Sequence, residues 1–110
     1  MPKDDYFVIV YRILTYLYAC FKSGDQPERE LFSPEAMSIN RGYWCNVMES
    51  ISNEGYVTGV SVISARLGQC GIKLSGLKIT QKGIEYLQDN SKMAKARTLL
   101  KETSDIISRF

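Results

Sequence analysis

Apolar residues recur at three- and four-residue steps near the start of the chain: Phe7, Val10, Leu14, Leu17 and Phe21. Ile13 and Cys20 widen this stripe on one side, and Tyr6, Ile9 and Tyr16 on the other. The period is that of an α-helix. It predicts a first helix from Asp4 to Lys22, with Asp4 and Asp5 in the first turn, where the helix dipole favours negative charge. Only the strip through Val8, Arg12, Thr15, Ala19 and Lys22 is expected to face water. A helix this apolar must be covered on several sides. Gly24 is expected to end it.

From Gly24 to Phe32 the pattern turns polar around Pro27. Ser33-Pro34-Glu35 then reads as an N-cap, a first-turn proline and an acid, opening a short second helix that ends near Met37. Ser38 or Asn40 caps a third helix reaching about Asn53, with Trp44, Val47, Met48 and Ile51 on its buried face and Tyr43 beside them. Gly55 closes it. The valine-rich run from Tyr56 to Ile63 and the alternating run from Ile72 to Ile79 read as strands, the second with an irregularity at Ser75-Gly76. Between them lies a glycine-containing tip, Ser64 to Gly71. Thr80 caps a fourth helix, Gln81 to Asp89, with Ile84, Tyr86 and Leu87 on its core side. Gly83 occupies the position where a capping box places Glu or Gln, so the first turn is expected to lie close against other backbone. Ser91 is expected to cap a last helix to the C-terminus, with Met93, Ala96, Leu100, Ile107 and Phe110 on one face and Leu99 and Ile106 alongside.

The resulting class is α+β and mostly helical: a winged helix-turn-helix with a two-stranded wing and additional N- and C-terminal helices. Residues 1–110 read as one winged-helix domain, since 110 residues at 45% hydrophobic content suffice for one core. No signal-peptide pattern and no apolar run near 18 residues occurs, so a cytoplasmic protein without a membrane span is expected.

The three cysteines, Cys20, Cys45 and Cys70, are widely spaced, and the chain has no histidine. That speaks against a zinc site and a disulfide framework, and the three are expected to be reduced thiols. Without histidine the commonest general base is absent. Glu28 and Glu30 stand two apart in a polar connection, where a solvated surface is expected. Gly68-Gln69-Cys70-Gly71 lacks the lysine and helix of a phosphate loop. The expectation is a protein that is not an enzyme, with no cofactor, no metal and no small-molecule ligand.

The net charge is only +2, short of the strongly basic balance of a dedicated nucleic-acid binder. Its distribution is more informative. From Gly55 to Ile84 there is no Asp or Glu, while Arg66, Lys73 and Lys78 fall in the hairpin. These three are candidates for phosphate contact with double-stranded DNA, with Asn40, Arg41 and Asn46 on the third helix as base readers. Glu49, on the same helix, repels phosphate. The structural alternative for the lysines is a solvated hairpin whose charges discourage edge pairing.

Lys3-Asp4-Asp5-Tyr6-Phe7-Val8-Ile9-Val10-Tyr11, Tyr43-Trp44, Glu54-Gly55-Tyr56-Val57 and Ile79-Thr80-Gln81-Lys82-Gly83-Ile84-Glu85-Tyr86-Leu87 together resemble the YjcQ family, small proteins of Gram-positive bacteria and their prophages. The last segment also resembles the wing-strand-to-helix junction of bacterial winged-helix regulators. The resemblance implies a winged-helix fold and a phage context. It brings no catalytic residues. Two functions stay open: a DNA-binding, transcription-regulatory module, or a protein-interaction accessory module on the same scaffold. A positive band joining Arg41, Arg66 and Lys73 would favour the first, and a negative third helix the second. The terminal helices are expected to pack within one monomer or to build a homodimer.

Overall fold

The computed structural model describes residues 4–64 and 70–102. The first helix, α1, spans Tyr6–Ser23. Asp5 sits just outside it as the N-cap, its carboxylate accepting the Phe7 N–H at 3.0 Å, so the acid acts as a cap and not as a first-turn residue. Gly24 closes α1 in the left-handed conformation. After a single 3-10 turn at Arg29–Leu31, α2 spans Pro34–Met37, capped by Ser33. The hydroxyl of Ser33 accepts the Ala36 N–H at 3.0 Å. Ser38 belongs to the end of α2, and Asn40 is the cap of α3, Arg41–Asn53.

The hairpin follows: β1 at Val57–Ser64 and β2 at Cys70–Ile79, antiparallel. Val57 stands opposite Ile79 and Thr58 opposite Lys78, but Val60 stands opposite Leu74. One residue of β1, Gly59, therefore faces three of β2, which places the irregularity expected at Ser75-Gly76. A Cβ on Gly59 would lie 2.5 Å from the Ser75 carbonyl oxygen, and its φ is +89°; only glycine fits such a bulge. Helix α4, Gln81–Asp89, and helix α5, Ser91–Glu102, complete the order. Asn90 caps α5 in place of the expected Ser91, its side-chain oxygen accepting the Lys92 N–H at 2.8 Å. Ile106, Ile107 and Phe110, expected on the face of the last helix, lie outside the described residues.

The core is built where α1 is gripped from two sides. Ile9, Val10, Ile13, Leu14 and Leu17 join Trp44, Val47, Met48 and Ile51 of α3, Val57, Leu77 and Ile79 of the hairpin, and Met93 of α5. On the other side Val8, expected to face water, is fully buried in a small cluster with Ala96 and Leu100. The period of α1 marks Val8 as the edge of the stripe; only the arrival of α5 turns that edge inward. The opposite error occurs at Phe21, which shares the apolar period yet is 49% exposed. The packing of α5 on α1 through Leu100 is within one chain.

Cysteine chemistry departs from the expectation at one position. Cys20 is a free thiol, half-buried, but Cys45, buried in α3, is disulfide-bonded. The side chain of Cys70 lies outside the described residues. Spacing along a chain says nothing of which Cβ atoms the fold brings together, and the odd count does not forbid one bond. Alkylation of the denatured, unreduced protein followed by peptide mapping is expected to modify Cys20 and leave Cys45 unmodified until a reductant is added. Modification of Cys45 before reduction would refute the bond.

The junction between hairpin and α4 is the tightest part of the fold. The Thr80 hydroxyl accepts the Gly83 N–H at 3.0 Å and donates to the Gly55 carbonyl oxygen at 2.5 Å. The Thr80 N–H donates to the Tyr56 carbonyl at 2.9 Å. Tyr56 and Tyr86 stack with centroids 4.3 Å apart. Burial, and then the neighbouring Tyr56, Tyr6 and Glu54, push the Tyr86 phenol up to about 12.

Candidate functional site

Two surfaces stand out. The first is the outer face of α3. Arg41, Asn46, Glu49 and Asn53 are exposed along it, with Asn40 and Glu54 at its ends. Asn46, Glu49, Ser50, Asn53 and Glu54 line one open concavity. The hydroxyls of Ser50 and Tyr6 are hydrogen-bonded at 2.7 Å, which ties the C-terminal part of the helix to the start of α1.

The chemistry of this face is polar and on balance acidic. Arg41 is its cation, against Glu49 and Glu54. Asn40 is committed locally: its side-chain oxygen accepts the Tyr43 N–H at 2.8 Å. Pairing with adenine takes the oxygen and the amide of one Asn together, so Asn40 can read a base in that way only by giving up the cap. Asn46 keeps both groups available to a partner.

The second surface runs along β2. Lys73 and Lys78, opposite Ser61 and Thr58, are both exposed. The hollows they line share no residue with the concavity on α3. Lys73 lines a hollow with Phe32, Ile72 and Leu74; Lys78 lines one with Leu17, Phe21, Asp25, Pro27 and Leu77. A third hollow, bounded by Gln26, Pro27, Phe32, Leu74, Gly76 and Leu77, shares residues with both and joins them. The result is a groove with Leu74 and Leu77 on one wall, Pro27 and Phe32 on the other, and a lysine toward each end.

Of the six residues singled out from the sequence, Asn40, Arg41 and Asn46 thus lie on α3 and Lys73 and Lys78 on the groove. Arg66 lies outside the described residues. Among the described residues Arg41 and Lys73 are not brought into one cationic hollow. Sequence reading missed the groove because its far wall comes from the polar connection after α1. The available signal was the presence of Pro27 and Phe32 in that otherwise polar stretch.

Tandem helices α2 and α3 followed by a two-stranded hairpin, with α1 behind them, make this a winged-helix protein. The family model described as YjcQ protein matches residues 11–106; the chain belongs to the YjcQ family. No curated protein and no solved structure matches it. Among the described residues no helix is long and apolar enough to cross a membrane.

Proposed function

We propose that this domain is a protein-interaction module on a winged-helix scaffold, taking up its partner along β2. The observation that carries this reading is the groove along β2, with Lys73 and Lys78 toward its ends and Pro27, Leu74 and Leu77 between them. Apolar side chains flanked by charged ones are common in protein interfaces. The face that a winged-helix DNA reader turns to the duplex carries Glu49 and Glu54 here, which oppose approach to phosphate.

A peptide-display selection on the intact chain tests the proposal. Ligands that it yields are expected to lose affinity for the Phe21→Ser and Lys78→Glu variants, whose altered side chains are exposed and lie on the groove. Ligands that bind these variants and the native chain equally would overturn it.

A second reading has one observation in its favour. The stretch from Gly55 to Ile84 has no acid, so the wing is free to approach a duplex. Contacts by Arg66, Lys73, Lys78 and Arg41 would give a log–log salt slope of about −3 to −4. Such binding would be poor at discriminating sequences. Retardation of duplex DNA in gels at about 50 mM salt, with that slope and with a loss of about two units in Arg66→Ala/Lys73→Ala, would put DNA in place of the protein partner.

A further inference from the structure

We infer that the outer arc of α5 binds the phosphate backbone of duplex DNA without reading its bases. This role is independent of the protein partner proposed for β2. From Asn90 to Lys101 the chain carries Lys92, Lys95, Arg97 and Lys101 and no acid, with Asp89 and Glu102 flanking the run. All four cations are exposed, while Met93, Ala96 and Leu100 are buried. The helix therefore gives its apolar face to the fold and turns its charge to water. The hollow beside it shares no residue with the β2 groove or with the acidic concavity of α3.

The placement of the cations calls for anions. Lys92 and Lys95 are three residues apart and Arg97 and Lys101 four apart, so each pair shares a side of the helix. Like charges so placed repel, and an anion between them relieves the repulsion. The helical period sets the two pairs on opposite flanks of α5. On one flank the Lys92 Nζ lies 5.7 Å from the centroid of the Phe7 ring. On the other, Arg97 and Lys101 line a hollow with Tyr11, Gln88 and Thr98, and no acid lines it. The Tyr11 hydroxyl and the Gln88 amide are groups that can donate to a phosphate oxygen.

Three features select the macromolecule. Protein interfaces are depleted of lysine and anchored on large aromatic side chains, and the exposed large hydrophobics among the described residues, Phe21 and Val62, lie elsewhere. A helix that lies in a membrane surface inserts its apolar face, but here Ala96 and Leu100 are packed on Val8 of α1. Lysine and arginine along one helix are the footprint of a phosphate backbone. A helix with its side chains is about 10–12 Å across, close to the width of about 12 Å of the DNA major groove. Cations on two flanks then reach both phosphate rims, which the deep, narrow groove of duplex RNA does not allow. Between the flanks Ala94 is apolar, and the Thr98 hydroxyl donates to the Ala94 carbonyl at 3.1 Å, so binding is indifferent to sequence.

The test is fluorescence anisotropy of two labelled DNA duplexes of unrelated sequence against the intact chain. Both are expected to bind with similar affinity and a log–log salt slope of about −3 to −4, as for four phosphates. Lys95→Gln/Arg97→Gln should flatten the slope by about two units. Replacing Lys92 and Lys101 by Gln as well should abolish binding, with the fold of each variant checked by circular dichroism. Arg66→Ala/Lys73→Ala should leave affinity and slope unchanged, and duplex RNA of the same length should bind more weakly. The inference is overturned by absence of binding at about 50 mM salt, a slope unmoved by the glutamine variants, strong preference for one sequence, or RNA binding as tightly as DNA. Tighter binding to phosphatidylserine vesicles or to polyglutamate overturns it too, since the occupant is then a membrane or an acidic protein. All of these outcomes leave the β2 reading standing. Loss of binding in Arg66→Ala/Lys73→Ala instead overturns the α5 site and places the duplex on the wing.

Discussion

Trp44→Ala is expected to destabilise the domain by about 3–5 kcal/mol, the range for removing a large aromatic from a packed core. Trp44 is 4% exposed and shares a face of α3 with Val47, Met48 and Ile51, all of them fully buried. That face meets α1 within the main core. Truncation removes the indole's transfer free energy and leaves a cavity that α1 and the hairpin, tied to other elements, cannot collapse into. Against a total stability of about 5–15 kcal/mol for an ordinary domain, the variant would be partly unfolded at moderate temperature. Urea denaturation followed by circular dichroism measures the loss. Trp44→Phe should recover part of it, because most of the apolar volume returns. The single tryptophan also reports on itself: emission should be blue-shifted in the native protein and move red on unfolding. Native emission like that of free tryptophan, or an unchanged midpoint in Trp44→Ala, would refute a core role.

Gly83→Ala should cost about 1–3 kcal/mol, and here two effects of opposite sign compete. Gly83 lies in the first turn of α4 with ordinary helical backbone. On propensity alone, alanine would stabilise a helix by about 1 kcal/mol. The tertiary position reverses this. A Cβ built on Gly83 runs into the Tyr56 carbonyl oxygen and comes within 2.8 Å of Ile79 Cγ1. The carbonyl cannot retreat cheaply, because it accepts the Thr80 N–H at 2.9 Å. Nor can α4 rise without stretching the bond from the Thr80 hydroxyl to Gly55. The stacked Tyr56–Tyr86 pair sits at the same junction. Thermal unfolding decides between steric overlap and propensity: a lower midpoint in Gly83→Ala supports the close approach, and a higher one refutes it.

Much of the fold was legible in the sequence where its cause is local. Ser33, Asn40 and Thr80 were readable as caps because each bond spans only three residues. The ambiguity between Ser38 and Asn40 was settled by Ser38 taking the left-handed conformation at the end of α2. Gly83 was readable as a close approach because a capping position without its usual side chain needs a reason. The bulge was readable from Ser75-Gly76, although its partner, Gly59, was not.

The candidate site was less legible. The residues of α3 and the hairpin lysines were identified as exposed, which alternation alone predicts. Their grouping was not, since Lys78 is brought beside Phe21 and Asp25 by the path of the connection after α1, some fifty residues upstream. The DNA reading drew its lysines from the acid-free composition of the wing, and composition has no direction in space.

The sequence by itself determined the order of elements, the buried face of α3, the central apolar stripe of α1, the core side of α4, and the winged-helix class. These follow from periods of two and 3.6 and from caps that close within one turn. Tertiary structure alone decided that Val8 is buried and Phe21 is not, that Cys45 is bonded, and that Lys73 and Lys78 belong to a groove. Each of these depends on which distant segment arrives beside a residue. Nothing in the local pattern encodes that arrival, because the free energy that selects it is summed over the whole core.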